Sequence, residues 1–524
     1  MARLDPPWRD RLIVGLAFAL AWGLLLVNRG LYWDDWTLVG RSTASLVEGF
    51  SEIGLPWFGF IHAALLSMPM PGLVGHLVIF SVYLLSALLL HAILGRIPGL
   101  SRLDALVAAL TFALLPVNYA RIALIDLPYG LSLLAFLAAT WLLLRYLEDG
   151  GLARRVAALA LFVCAFVTAS LLILYVVPMA IAAAIAWRSG TRSIPSLLLR
   201  HADFIALPVA YWLLKAAIFP ASGVYEGYNA LSLGRMAEVP KAMLSVPWQV
   251  LIEPLGRAIS VAGLIGILVG ALVAVWLLRR SRAAEYGTFV TAPVLALIGV
   301  AVLGLGVFAY LAVGRVPVIW DWTSRHQLLV PIGAGLLAAA AVRGARSAWP
   351  IGGVLAVAIG LFLGISAVAD ARTLVAYQLD WYKQTALIDA ARTVPELRAA
   401  RHIRIVDDAK GFDALRRRYR FYEYNALFEQ ALGDTRRLAS DGTDEPTGDE
   451  LDLFISRPAY HMEQYVPSPV DLKLRISPGD GTGGGLQTIR LLVLEILGSP
   501  SFESEVGRLI HVQATPVQGS PAAP

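Results

Sequence analysis

Cysteine is almost absent from this sequence: Cys164 is the single example in 524 residues, and it lies within an apolar run. This excludes a disulfide framework, a cluster of thiolate metal ligands and a redox-active cysteine pair. Several catalytic signatures are missing as well, since no His-Glu-x-x-His, no Gly-x-Ser-x-Gly and no Cys/His zinc spacing occurs. The glycine-rich stretch 479–485 lacks the Lys-Ser/Thr pair of a phosphate-binding P-loop. The sequence therefore gives no sign of a zinc protease, a serine hydrolase of the α/β type or a P-loop nucleotide enzyme.

Charge is also scarce. Charged residues make up 15% of the chain and hydrophobic residues 57%, with a mean hydropathy of +0.66. These values lie outside the soluble range and indicate an integral membrane protein. The pI near 9.2 could point to a nucleic acid, but the arginines fall in short clusters between apolar runs, which is the pattern that sets membrane topology. We therefore expect no nucleic-acid partner.

Apolar runs recur along the first 370 residues. Counting stretches that can cross about 30 Å of hydrocarbon at about 1.5 Å per residue predicts roughly eleven spans. They are expected at 11–28, 73–94, 104–119, 124–146, 155–170, 172–187, 203–219, 259–278, 288–313, 326–342 and 350–369. The first run resembles a signal peptide, but Asn28-Arg29-Gly30 is a poor cleavage site, so we expect a retained helix.

Basic clusters precede the first predicted span and follow every second one, so all of them fall on one side. This places the N-terminus in the cytoplasm. The opposite side then receives a first external loop at 29–72, a second at 220–258, a short one at 314–325 and everything after 370. High Ala, Leu, Gly and Arg usage suggests a bacterium, and hence the cytoplasmic (inner) membrane.

Beyond residue 370 the apolar runs stop and charges become dense. The pattern predicts a small extracytoplasmic α/β domain at 371–515 and a disordered tail at 516–524. Strands are expected at His402–Val406, Leu451–Ser456, Leu472–Ile476 and Thr488–Leu497, with a helix at Asp413–Leu432. The predicted fold is a polytopic α-helical membrane protein of about 11 transmembrane helices with this domain at its C-terminal end.

An acidic pair, Asp34-Asp35, stands between Tyr32-Trp33 and Trp36, a few residues beyond the first predicted span. Carboxylates at that depth are costly and usually functional. Two neighbouring carboxylates do not ionise independently, which favours one of them as a general base while the other orients a substrate or a cation. The competing interpretation is that the aromatic residues mark the membrane interface and the aspartates are simply hydrated.

A second signal lies on the same predicted side, where Arg121 and Asp126 follow the third span within the segment 118–128. The acidic pair after the first helix and this Arg…Leu-Ile-Asp segment together resemble the C-type glycosyltransferase superfamily, which includes the protein O-mannosyltransferases and the aminoarabinose transferases. The resemblance covers the membrane part, about 370 residues. One departure is the stretched, apolar segment His62 to Pro71, where several branches carry a compact His-x-x-Pro-Pro-like element. This leaves the branch, and hence the sugar and the acceptor, open.

The resemblance implies an inverting transfer of a sugar from a polyprenyl-phosphate donor to a glycan, lipid or protein acceptor. Asp34 is then expected as the general base, with Asp35, Asp126 and Arg121 supporting the base or the acceptor. Arg121 could equally pair with Asp126 in a purely structural role. No cofactor is firmly predicted. A divalent cation could bind at Asp34, Asp35 and Asp126, although three carboxylates make a thin ligand set.

A departing lipid phosphate needs positive charge nearby. The candidates on the predicted external side are Arg325, with His326 beside it, and Lys215 near the end of the seventh span. Snorkelling explains Lys215 nearly as well as donor binding does. The loop 220–258, with Tyr225 and Tyr228, could cover the donor or could simply connect two spans.

Two other classes of function compete with the enzyme. A transporter or flippase for a lipid-linked or anionic solute would place charged residues in the middle of several spans. A non-catalytic membrane scaffold with a glycan-binding external domain would tolerate replacement of Asp34 and Asp35.

Overall fold

The computed structural model describes residues 7–188, 199–227, 233–283, 290–319, 322–347, 351–480 and 485–517. This part of the chain is mostly helical and carries one small sheet. The α-helices are α1 Pro7–Trp22, α2 Thr43–Glu52, α3 Pro56–Leu66, α4 Pro71–Leu94, α5 Arg102–Leu114, α6 Leu127–Asp149, α7 Leu152–Phe166, α8 Ser170–Leu174, α9 Val176–Arg188, α10 Ala202–Ile218, α11 Leu233–Pro247, α12 Glu253–Ala283, α13 Ala292–Leu311, α14 Val330–Ser347, α15 Ile351–Thr393, α16 Pro395–Ala399, α17 Phe421–Leu432, α18 Asp449–Ile455, α19 Gly485–Ile496 and α20 Phe502–Leu509.

Six helical segments of the described chain are long and apolar enough to cross a membrane. They are Pro71–Leu94, Leu124–Asp149, Ser170–Trp187, Glu253–Ser281, Ala292–Leu311 and Gly353–Thr393. The other five predicted spans also contain a helix, namely α1, α5, α7, α10 and α14, but these helices are shorter. By their length and composition, these six helices indicate a membrane-embedded protein, while the count of eleven spans stays a prediction.

The segment between α5 and α6 is irregular and buried. Ser101 caps α5, accepting a hydrogen bond from the Asp104 amide at 3.1 Å. The helix ends at Leu114, five residues before the predicted end of the span, because Pro116 cannot continue the helical hydrogen bonds. Two short 3₁₀ turns then follow, Tyr119–Ile122 and Leu124–Asp126. They place Arg121 and Asp126 outside any regular helix.

Helix α15 runs without interruption through residue 370, where the sequence predicted a domain boundary, and ends at Thr393. It packs closely on α12, since a Cβ added to Gly364 would lie 2.5 Å from the Gly270 Cα. Glycines at such crossings let two membrane helices approach backbone to backbone. One helix therefore extends from the membrane part into the C-terminal domain.

The C-terminal domain contains a four-stranded sheet of order β2-β1-β3-β4. Strand β1 (His402–Asp407) pairs in parallel with β2 (Leu438–Ser440) and with β3 (Leu472–Pro478), and β4 (Ile510–Pro516) runs antiparallel to β3. Side chains alternate between buried and exposed along the first part of β3, as expected of a sheet with one covered face.

Two of the predicted strands are wrong. Leu451–Ser456 falls on the short helix α18, and Thr488–Leu497 falls on α19. Short apolar runs do not separate strand from helix, and here tertiary packing decides in favour of helix. Pro516 ends β4 rather than opening a disordered tail, and residues 518–524 lie outside the described part of the chain.

A buried ionic cluster fixes the domain to α15. Arg417 donates from Nε to Asp380 at 2.8 Å and from Nη2 to the other oxygen of Asp380 at 3.0 Å, and it also contacts Glu423. Lys383, one turn along α15, donates to Asp407 at 2.6 Å and to Asp413 at 2.5 Å. These side chains are almost fully enclosed, so their charges are stabilised by one another rather than by water.

Candidate active site

Hydrogen bonds to α15 hold the loop that carries Asp34 and Asp35, here called the acidic loop. The Tyr32 hydroxyl donates to the backbone carbonyl of Tyr377 at 2.8 Å, and Asn28 donates to Gln378 at 3.0 Å. A 3₁₀ turn follows, Trp33–Thr37, which opens with Trp33 at φ +53°. Such a backbone is strained for a tryptophan and persists only where the surroundings enforce it. The two aspartates therefore sit on a rigid support.

Asp35 is sealed inside the protein. One carboxylate oxygen accepts from the Tyr32 amide at 3.0 Å and the other from the Ile125 amide at 2.9 Å. Burial raises the pKa of Asp35 to about 7, although these backbone N–H groups oppose the shift. Because both oxygens are occupied, Asp35 ties the acidic loop to the segment carrying Asp126 and is poorly placed to meet a substrate.

Asp34 is only half-buried and meets the C-terminal domain. Its Oδ1 accepts a hydrogen bond from the Tyr422 hydroxyl at 2.8 Å. Burial, together with the Asp34 carboxylate, holds the pKa of Tyr422 well above its ordinary value. Tyr422 thus remains a hydrogen-bond donor throughout the physiological pH range.

Asp126 and Arg325 come together beside the acidic pair. Asp126 is 5% exposed, and neither of its carboxylate oxygens has a hydrogen-bond partner among the described residues. Arg325, Asp35 and Asp34 are the charged groups that act on it. A buried carboxylate without a hydrogen bond is rare in folded proteins and calls for a functional explanation.

Arg325 lies on an aromatic shelf. Its guanidinium carbon is 4.0 Å from the Trp322 ring centroid, and that ring is 5.8 Å from the ring of Trp33. The amide of Ala120 donates to Ser324 at 2.9 Å and holds this turn against the segment of Arg121. Arg325 Nη1 is buried without a hydrogen-bond partner in the described chain. Nη1 can therefore donate to an anionic ligand without giving up an existing hydrogen bond.

The His326 ring lies 5.4 Å from that of Tyr310. Burial lowers its pKa to about 4, so the imidazole is neutral at physiological pH. It can help to shape the pocket, but it brings no positive charge to a phosphate.

Arg121 packs on aromatic rings of α1 and α4. Its guanidinium carbon lies 3.3 Å from the Trp22 ring centroid and 5.1 Å from that of Tyr83. The carboxylate that acts on it is that of Asp370 on α15. This geometry does not support the pairing of Arg121 with Asp126, and it assigns Arg121 to the packing of α1 against α15.

Lys215 lines an apolar groove between α3, α6, α7 and α10, next to the helix that Asp126 precedes. The groove has a volume of about 570 Å³, and its wall includes Pro128, Trp57 and Cys164. Lys215 makes no ion pair within the described residues. A lone ammonium in an apolar, membrane-level groove suits the phosphate end of a lipid.

Tyr225 and His62 lie elsewhere. Tyr225 follows Ser222, whose amide donates to the Glu52 carbonyl at 2.8 Å, so this part of the loop rests on the end of α2. Tyr228 lies outside the described residues. His62 is fully buried against Phe50, with ring centroids 5.1 Å apart, which fits a packing role.

Three side chains of this region carry no signal in the sequence. Tyr422 contacts Asp34 although 388 positions separate them in the sequence. Trp322 becomes relevant to the site only because Arg325 lies over its ring. Arg257, at the start of α12, lies 5.4 Å from the Tyr119 ring centroid. The sequence placed Arg257 only within the predicted loop 220–258.

No metal site is visible in the described residues, since no group of three His, Cys, Asp or Glu side chains is placed to hold an ion. Asp35 is occupied by backbone amides, which leaves Asp34 and Asp126 as a thin ligand set.

No protein-family model matches this sequence, and no curated protein matches it.

Proposed function

We propose that this protein is an inverting, membrane-embedded glycosyltransferase of the C-type kind, with roughly eleven spans and its site on the extracytoplasmic face. The observation that supports the proposal is that Asp34 and Arg325 lie close enough to the buried Asp126 to act on it electrostatically. Sugar transfer from a lipid phosphate needs groups of this kind. They are a half-buried carboxylate, a buried carboxylate without a hydrogen bond and a cation stacked on an aromatic ring.

Asp34 acts as the general base in this proposal. It takes the proton of the acceptor hydroxyl while the hydroxyl oxygen bonds to the anomeric carbon of the donor sugar. The bond from that carbon to the phosphate oxygen breaks, and the electron pair leaves on the polyprenyl phosphate. Attack opposite the leaving group inverts the anomeric centre. Asp126 accepts a hydrogen bond from a second hydroxyl of the acceptor, because neither of its buried oxygens has a partner among the described residues.

Arg325 stabilises the phosphate as it departs. Its planar guanidinium can bind two phosphate oxygens at once, and it lies where the developing charge appears. Lys215 supplies a second positive charge in the apolar groove, which takes part of the polyprenyl chain. Arg257, beside Tyr119, is a further phosphate ligand if the headgroup extends toward α15.

A direct test measures transfer of radiolabelled sugar from polyprenyl-phosphate hexoses and pentoses in membranes containing the full chain. We expect Asp34→Asn to reduce the rate by about 10²–10⁴-fold, which is the usual contribution of a general base. Asp452→Asn, an exposed aspartate on α18, is the matched control and should behave as wild type. Equal rates in Asp34→Asn and wild type, or no consumption of any lipid-linked sugar, would refute the proposal.

A further inference from the structure

Helix α19 presents an apolar stripe to the outside of the molecule. Leu486, Ile489, Val493 and Ile496 recur at helical spacing on one face and are all exposed, with Leu486 at 87%. Leu497, just past the helix, extends the stripe at 73% exposure. A soluble surface rarely leaves such a stripe uncovered.

The opposite face of α19 is anchored by a buried carboxylate. Glu495 accepts from the Trp381 indole at 2.9 Å and from the Gln378 amide at 2.9 Å. It also lies 3.5 Å from Arg29. These contacts fix both the position of α19 and the direction in which its apolar stripe faces, away from α15.

The height of α19 above the hydrocarbon follows from counting residues beyond the ends of two uncharged helical runs. Arg29 comes two residues after Val27, the last residue of the uncharged run of the first helix. On α15 the uncharged run ends at Ala369, and Gln378 stands about 13 Å further along the helix axis at about 1.5 Å per residue. Glu495 therefore lies between the hydrocarbon edge and about 13 Å above it. A helix with its side chains is about 10–12 Å across, so α19 reaches the headgroup layer.

The outer surface of α1 also carries exposed apolar side chains. Leu12, Leu16 and Leu20 form an exposed row on α1, with Leu20 at 79% exposure, and Arg29 follows the same helix. Arg29 contacts Glu495, so α19 lies beside the end of the helical segment that carries this row. This proximity to an exposed apolar helix favours lipid over a second copy of the chain as the occupant.

We propose that α19 is an interfacial membrane anchor that lays its apolar stripe into the outer leaflet. An amphipathic helix at this height binds the boundary between headgroups and acyl chains. The anchor and α15 attach the C-terminal domain to the membrane at two points, and so fix Tyr422 over Asp34. The proposal does not depend on sugar transfer.

The experiment uses the full chain in phosphatidylglycerol/phosphatidylcholine nanodiscs, in a Cys164→Ala background. Nitroxide spin labels are placed singly at Leu486→Cys, Ile489→Cys and Ile496→Cys. Matched controls are Lys473→Cys on β3 and Glu450→Cys on α18, both exposed positions of the same domain. Power saturation compares collision with oxygen, which partitions into lipid, and with a water-soluble nickel chelate.

We expect the three stripe positions to favour oxygen over nickel several-fold more than the two controls do. Nickel accessibility equal to that of the controls would overturn the proposal, because the stripe would then face water. Spectral broadening that disappears when labelled chains are diluted with unlabelled ones would also overturn it, because the stripe would then face a second copy.

Discussion

Two adjacent arginines of the C-terminal domain, Arg417 and Arg418, have different roles. Arg417 is enclosed between Asp380 and Glu423, whereas Arg418 is 47% exposed and pairs with Asp441 at the surface. Changing each to glutamine removes the same charge from neighbouring positions. The two substitutions should differ greatly in their effect on the domain.

The expected magnitudes follow from burial. Removing one partner of a buried ion pair costs about 3–5 kcal/mol, since the remaining carboxylates are left in a poorly hydrated interior. At about 1.4 kcal/mol per factor of ten, Arg417→Gln should raise the opening equilibrium of the domain by about 10²- to 4 × 10³-fold. An exposed pair contributes about 0–1 kcal/mol, so Arg418→Gln should raise it about fivefold at most.

Hydrogen exchange of the full chain in nanodiscs measures this opening. The reporting amides are those of β1 and β3, which lie in the centre of the sheet. Exchange in Arg417→Gln should accelerate by the factor given above, with Arg418→Gln close to wild type. If Arg417→Gln accelerates exchange by less than tenfold, or if both variants behave alike, the cluster does not hold the domain in the way argued here.

Three further predictions concern the site. Tyr422→Phe removes a hydrogen bond to a charged acceptor, about 1.5–3 kcal/mol, and should move the acid limb of the transfer pH profile upward by about 1–2 units; an unchanged limb would contradict the contact with the base. Burial raises the pKa of Asp35 to about 7, so its contribution to stability is complete below the unfolded pKa near 4 and is lost as the pH rises through about 7. Thermal midpoints at pH 4–8 should show this slope in wild type, and its persistence in Asp35→Asn would assign it to other groups. Lys215→Met should raise KM for the lipid donor with little change in kcat, whereas snorkelling alone predicts that neither changes.

The sequence located the helices well because their signal is local. Every predicted span overlaps a helix, since an uncharged apolar run has few alternatives in a membrane. It failed at Leu451–Ser456 and Thr488–Leu497, where a short apolar run fits either a strand or one face of a helix. For Thr488–Leu497 the deciding contacts, Glu495 with Trp381 and Gln378, join residues more than a hundred positions apart.

The acidic pair was recognisable, but the difference between its members was not. Asp34 and Asp35 are the same residue type, and long-range contacts such as those with the amide of Ile125 and the hydroxyl of Tyr422 distinguish them. Each of these contacts joins distant parts of the chain and leaves no periodic trace in the sequence. The neighbours of Arg121 were hidden for the same reason, because Trp22 lies in the first long apolar run and Asp370 directly follows the last one.

The support of the acidic loop by α15 has a consequence for biosynthesis. The partners of Asn28 and Tyr32 on α15 follow about 350 positions later in the chain. At about 5–20 residues per second, the ribosome needs roughly 20–70 s to supply that helix. Until then the acidic loop lacks its support, so the site takes shape only after α15 has been made.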